Sequence, residues 1–224
     1  MKYDIVHNPV SMVDFVLNWN ESVTAEAGAM VYMRGDINTK TRTRKGGLFK
    51  TFKSKVLAGE SFFVNEFTAK EDNCGLGITG AVLGDIQVIQ ADEEYIVQSG
   101  AYIASTGTIT LDTKWQGFTR GIFGNNLFML KTIGKGDVFV TGWGGIRKVV
   151  LKQGENMILD NYQLVAMSGT IEYKIKKHGS LKTAILGGEV LVIEIHGPGV
   201  IYYQTKNLMA FARVLSPIMP KPGR

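Results

Sequence analysis

Apolar residues alternate along this chain in short runs broken by polar and glycine-rich turns, a pattern that predicts β-strands almost throughout. Three gapless segments share one arrangement. They are Val16-Leu17-Asn18-Trp19-Asn20-Glu21-Ser22-Val23-Thr24-Ala25, Val88-Ile89-Gln90-Ala91-Asp92-Glu93-Glu94-Tyr95-Ile96-Val97, and Val150-Leu151-Lys152-Gln153-Gly154-Glu155-Asn156-Met157-Ile158-Leu159. Each reads as two apolar residues, a polar turn ending on Glu21, Glu93 or Glu155, and a second apolar stretch, which predicts a short hairpin. The register continues through Gly28–Tyr32, Gly100–Ala104 and Tyr162–Ala166.

A later anchor aligns Leu127–Val140 with Val190–Tyr203, and a weaker version in the first copy runs from Phe52 through Gly59 to Phe63. Val88 to Val150 is 62 residues and Gly136 to Gly199 is 63, while Val16 to Val88 is stretched to 72. The surplus is expected around Glu66 to Leu83 as an added hairpin or excursion. We therefore expect an all-β fold: one domain over 1–224 made of three diverged β-sandwich-like repeats in a pseudo-threefold arrangement. The repeats are expected at about 14–85, 86–147 and 148–213, with a proline-bearing tail at 214–224. A unit of about 60 residues is marginal alone, so each should share its core with its neighbours. Gln204–Arg213 fits either a short helix or a closing strand.

Composition agrees with a folded chain. Of 224 residues, 45% are hydrophobic and 20% charged, which argues against disorder. Cys74 stands alone, so no intramolecular disulfide forms, as suits a reducing compartment. No apolar run reaches the roughly 18 residues of a membrane-spanning helix, and MKYDIVHNPV lacks a signal-peptide core. The expectation is a cytoplasmic protein with no transmembrane segment.

Much of the net charge of +5 lies in one acid-free stretch, with Lys40, Arg42, Arg44, Lys45, Lys50, Lys53 and Lys55. Such a stretch is a candidate polyanion-binding surface, for nucleic acid above all. The blander reading is a solvated loop followed by a strand with a basic outer face. Trp143, in Gly142-Trp143-Gly144-Gly145, is a candidate anchor for a protein partner.

Signals for catalysis are weak. Gly75-Leu76-Gly77-Ile78-Thr79-Gly80 matches the dinucleotide fingerprint but has no strand–turn–helix setting, and reads as a glycine-rich turn. His7, His178 and His196 are too scattered for a metal site. The three glutamates sit in equivalent turns and converge on no shared pocket. We expect no catalytic residue, no cofactor and no metal.

Gly59-Glu60-Ser61-Phe62-Phe63, Gly84-Asp85-Ile86, Gln98–Ser105, Gly197-Pro198-Gly199-Val200 and Gln204-Thr205-Lys206-Asn207 together resemble the mitochondrial-biogenesis family named for altered inheritance of mitochondria. One departure is Asp160-Asn161-Tyr162-Gln163-Leu164, where that family has an Asp-Thr-Gly-His-like turn. The resemblance implies a β fold similar to the tryptophan RNA-binding attenuation protein, as repeated units in one chain. It implies neither RNA binding nor a catalytic residue. The expected function is a non-enzymatic scaffold or interaction protein that self-associates through exposed edge strands and has an unidentified protein partner. The alternative is nucleic-acid binding through residues 40–55.

Overall fold

The computed structural model describes residues 1–7, 10–43, 63–112, 129–177 and 191–219, and the fold is nearly all β. After β1 (Lys2–His7), a first run of strands comprises β2 (Ser11–Leu17), β3 (Ser22–Glu26), β4 (Met30–Arg34), β5 (Ile37–Thr43), β6 (Phe63–Ala69) and β7 (Cys74–Ile78). A second comprises β8 (Gly84–Ala91), β9 (Tyr95–Gln98), β10 (Tyr102–Ser105), β11 (Thr110–Asp112), β12 (Met129–Ile133) and β13 (Gly136–Trp143). A third comprises β14 (Ile146–Leu151), β15 (Asn156–Asp160), β16 (Leu164–Ser168), β17 (Glu172–Lys177), β18 (Leu191–His196) and β19 (Gly199–Gln204). The helix α1 (Leu208–Leu215) follows.

The strands form four sheets, ordered β1-β2-β7-β4, β5-β6-β3-β10-β13-β8, β11-β12-β9-β16-β19-β14 and β15-β18-β17. Within every run the first and third strands flank the sixth, and the second and fourth flank the fifth. Between runs, β10 pairs with β3 and β16 pairs with β9.

The expected hairpins do not form. β2 and β3 lie in different sheets, as do β8 and β9, and β14 and β15. Asn20 and Gly154, at φ 64° and 80°, turn the chain out of one sheet and into the next. Glu21 and Glu155 fix these corners by accepting the backbone N–H of Asn18 (2.8 Å) and Lys152 (2.7 Å). Both edges of β3 are filled by strands distant in sequence, β6 and β10, which local alternation cannot specify.

Glu66–Leu83 is likewise no added hairpin, because it carries most of β6 and all of β7, the regular fifth and sixth strands. The first-copy anchor at Phe52–Gly59 lies outside the described residues. Gly75–Ile78 is part of a buried strand instead of a turn. Its glycines leave one face bare, and the Tyr32 ring lies against Gly77 so closely that a side chain there would collide with it.

Three cores fill the spaces between the sheets. In the first, Val13, Phe15, Leu76 and Ile78 meet Val23, Phe67, Ile86 and Phe139. In the second, Ile89, Tyr102 and Val138 meet Val97, Leu130 and Tyr202. In the third, Ile96, Met167 and Ile201 meet Leu159, Ile193 and Ile195. The two six-stranded sheets feed cores on both faces, so β9, β10 and β16 are buried at every position, each an apolar run that ends on a buried polar residue, Gln98, Ser105 or Ser168.

Candidate functional site

Of the basic stretch, the structure places Lys40 and Arg42 on β5. Lys40 is exposed and sits directly across from Glu66 of β6, so its charge has an acidic neighbour that the linear sequence hides. Arg42 lies opposite Val64. Arg44, Lys45, Lys50 and Lys53 are outside the described residues. The same cross-strand position pairs Asp112 with Lys131 and Lys174 with Glu194.

Trp143 ends β13, half-buried, with its ring 5.4 Å from that of Phe211 in α1. Its backbone N–H donates to Gln204 Oε1 (2.9 Å), and Gln204 Nε2 donates to the Tyr162 carbonyl (2.8 Å). Thr205 Oγ1 accepts from the Gly145 N–H (2.9 Å). Asn207 caps α1 by accepting from the Ala210 N–H (2.7 Å), which settles the choice between helix and strand and carries the helix into the expected tail. Part of the Trp143 surface is therefore taken up by the chain's own helix. The most exposed tryptophan described is Trp19, at 67%, in the corner after β2; the flanking polar turn was its only sequence signal.

Among the described titratable groups, Glu26 departs furthest into the physiological range. Burial raises its carboxyl from 4.5 to about 7. Nearby, the Tyr102 hydroxyl lies 2.9 Å from Ser105 Oγ and donates to the Thr24 carbonyl (3.2 Å). Burial holds that phenol above its ordinary value, offset by the Ser105 bond and reinforced by the Glu26 charge. The unfolded chain releases the Glu26 proton near 4.5 and the folded chain near 7, so this site lowers stability progressively as pH rises between those values. With a discount for its partial exposure, the penalty is about 1–2 kcal/mol above pH 7. Glu26→Gln should raise the urea midpoint at about pH 8 and leave it nearly unchanged at about pH 4. An equal gain at both pH values would rule out a folded-state proton on Glu26.

Among the described residues, one further group of charged side chains gathers beside a hollow. His196 ends β18, 3.7 Å from Glu194, beside an open hollow of about 450 Å³ lined by Ile171, Glu172, Tyr173, Lys174 and His196. Lys176 and, to a smaller degree, His196 hold the Glu194 carboxyl below its ordinary value. Cys74 is buried, its thiol donating to the Asp36 carbonyl (3.4 Å). Among the described residues no group of three His, Cys, Asp or Glu side chains is placed to hold a metal ion.

Exposed apolar side chains gather in two places that sequence reading missed. One is β4, with Met30, Val31, Tyr32 and Met33; the other is α1, with Leu208, Met209, Phe211 and Val214. The signal at β4 was an apolar run like those of the buried strands β10 and β16, so periodicity alone could not mark it as exposed.

The model of the family described as mitochondrial biogenesis AIM24 matches residues 3–206. The chain belongs to the AIM24 family. It is 30% identical over 218 residues to an uncharacterized protein of Streptococcus pyogenes serotype M6, covering 93% of this chain and 87% of that protein. A crystal structure of the S. pyogenes protein SPYM3_0169 superimposes with a TM-score of 0.77 at 27% identity, over 97% of this chain and 99% of that one.

Two of the described stretches that carried the AIM24 resemblance hold corners of the fold. Gly197-Pro198-Gly199 turns β18 into β19, and Gln204–Asn207 ties the Trp143 turn, Tyr162 and α1 together. The departing segment at Asp160–Leu164 forms a short 3-10 turn in which Asp160 accepts from the Tyr162 N–H (2.8 Å). In the described chain no helix is long and apolar enough to cross a membrane.

Proposed function

We propose that this AIM24-family chain is a non-enzymatic scaffold of the cytoplasm that acts by binding, built from three copies of one six-strand unit in a pseudo-threefold arrangement similar to the tryptophan RNA-binding attenuation protein fold. The observation that supports it most is the strand pairing, which follows the same rule in the runs at 11–78, 84–143 and 146–204. Repetition of that kind multiplies surfaces, and the exposed apolar strand β4 offers one to a protein. The scaffold reading expects no thermal stabilisation by nucleotides, nicotinamide or flavin cofactors, or divalent cations in a melting screen. A saturable shift with one of them, lost on changing Glu26 or the His196 hollow, would replace it with a small-molecule site.

A second reading, nucleic-acid binding, is favoured by the acid-free run from Lys40 to Lys55 and the exposure of Lys40. It expects labelled single-stranded RNA or DNA to bind at about 50 mM salt and to weaken by orders of magnitude by about 200 mM. Joint Arg42→Ala and Arg44→Ala substitution should reduce that binding. Undetectable binding at the lower salt would remove this reading.

A further inference from the structure

Among the described residues eight strands lie at sheet edges, β1, β4, β5, β8, β11, β14, β15 and β17, and of these β4 is the third strand of its run and β15 the second strand of its run. β4 has a neighbour on one side only, β7, and β15 has a neighbour on one side only, β18. All of β4 is exposed, and Ile158 of β15 is 62% exposed. Free apolar edges of this kind invite pairing with another chain.

Elsewhere the chain covers the corresponding edges itself. β10, the third strand of its run, lies on β3, the second strand of the run before, with Ala104 opposite Ala25 and Ser105 opposite Thr24. β16 lies on β9 in the same relation, with Ala166 opposite Val97 and Met167 opposite Ile96. The registers agree residue for residue. Ala25 and Val97 stand 72 residues apart and Ala104 and Ala166 stand 62, the same offsets as Val16 to Val88 and Val88 to Val150.

β4 even shares the irregularity of its counterparts. The register shift between Met30 and Tyr32 recurs between Tyr102 and Ala104, and between Leu164 and Ala166. β4 thus has the form of a strand that sits on a preceding run, and β15 the form of one that receives a following run. Within one chain they lie at the edges of separate sheets.

We propose that β4 of one copy docks antiparallel on β15 of a second copy, head to tail, with Tyr32 opposite Leu159 and Met33 opposite Ile158. This rests on the three-unit reading above. The four-stranded and three-stranded end sheets then become one seven-stranded sheet, like the six-stranded sheets that join the runs inside the chain. Tyr32, folded over the bare glycine face of β7, meets the side of β15 that carries Leu159 and the third core. Met33 and Ile158 cover each other on the opposite face. Two different edges are used, so every added copy leaves one of each free, and association continues until a ring closes or a filament grows.

Light scattering on the full chain should give masses that are multiples of 24.6 kDa. Met33→Lys or Ile158→Glu alone should weaken association by at least about tenfold, because each buries an unpaired charge in the seam. Both positions are exposed in the single chain, so circular dichroism should be unchanged. The double variant Met33→Lys/Ile158→Glu should recover association by placing opposite charges face to face. Met33→Cys with Ile158→Cys should give an oxidised ladder of chains, with Cys74 silent because it is buried. A single-chain mass at every concentration, assemblies indifferent to these substitutions, or a cross-link confined to one chain would each overturn the seam. A cofactor found in the melting screen would overturn the scaffold reading and leave the seam standing, whereas a monomer that binds no cofactor would do the reverse.

Discussion

Phe139→Ala should cost about 3–5 kcal/mol of stability, the largest loss expected from a single side chain here. Phe139 is fully buried on β13, in the second sheet, where its ring meets two aromatics of the first. Phe15 of β2 lies at a centroid distance of 5.1 Å with the rings inclined at 74°, and Tyr3 of β1 at 5.1 Å and 87°. Both are edge-to-face contacts, which add to the burial term. Truncation would remove a ring shared by two sheets and leave a cavity that rigid strands on either side cannot fill. Phe139→Leu retains most of the apolar volume and should lose under half as much. Urea denaturation of the three proteins decides the matter. A loss under about 1 kcal/mol for the alanine variant would mean that the first and second sheets do not depend on this contact.

Phe139 also shows what the sequence can and cannot tell. Its alternation with neighbours in Val138-Phe139-Val140 marks a strand, and the all-β class follows from many such stretches. That both faces of the strand are buried, Val138 and Val140 in one core and Phe139 in another, follows only from how the sheets stack. The corners at Glu21 and Glu155 were visible as a shared motif, yet their geometry was not. An Asn or Gly with positive φ serves a hairpin and a change of sheet equally well, and the choice depends on partners tens of residues away. Lys40 makes the same point for charge. Along the chain it opens an acid-free run, but in the sheet Glu66 faces it. β4 was hardest to read, because an apolar strand looks alike in sequence whether a neighbour covers its edge or not.

Gly84→Ala should cost about 2–3 kcal/mol although it adds only one methyl group. Gly84 opens β8 and bridges in parallel to Gly144, in the turn between β13 and β14. A methyl group there would run into the Gly142 carbonyl and come within 2.6 Å of the Gly144 nitrogen. These are backbone atoms already engaged: the Asp85 N–H donates to the Gly144 carbonyl (2.8 Å), and the Gly144 N–H to the Leu83 carbonyl (3.2 Å). No side chain can rotate out of the way, so the two segments must separate and lose those bonds. The same turn holds Thr205 and Lys206 through Gly145 and Trp143, so the strain should pass to α1. Loosening of the Phe211–Trp143 contact should then show as a red-shifted emission that Trp143→Phe abolishes. Gly145→Ala is the control, since it lies in the same turn with no atom closer than 3.8 Å to the added carbon. It should be nearly neutral. If both substitutions proved equally mild, the close approach of β8 to the β13–β14 turn would not be a condition of the fold, and the rigidity assigned to this corner would have to come from the Gln204 bonds instead.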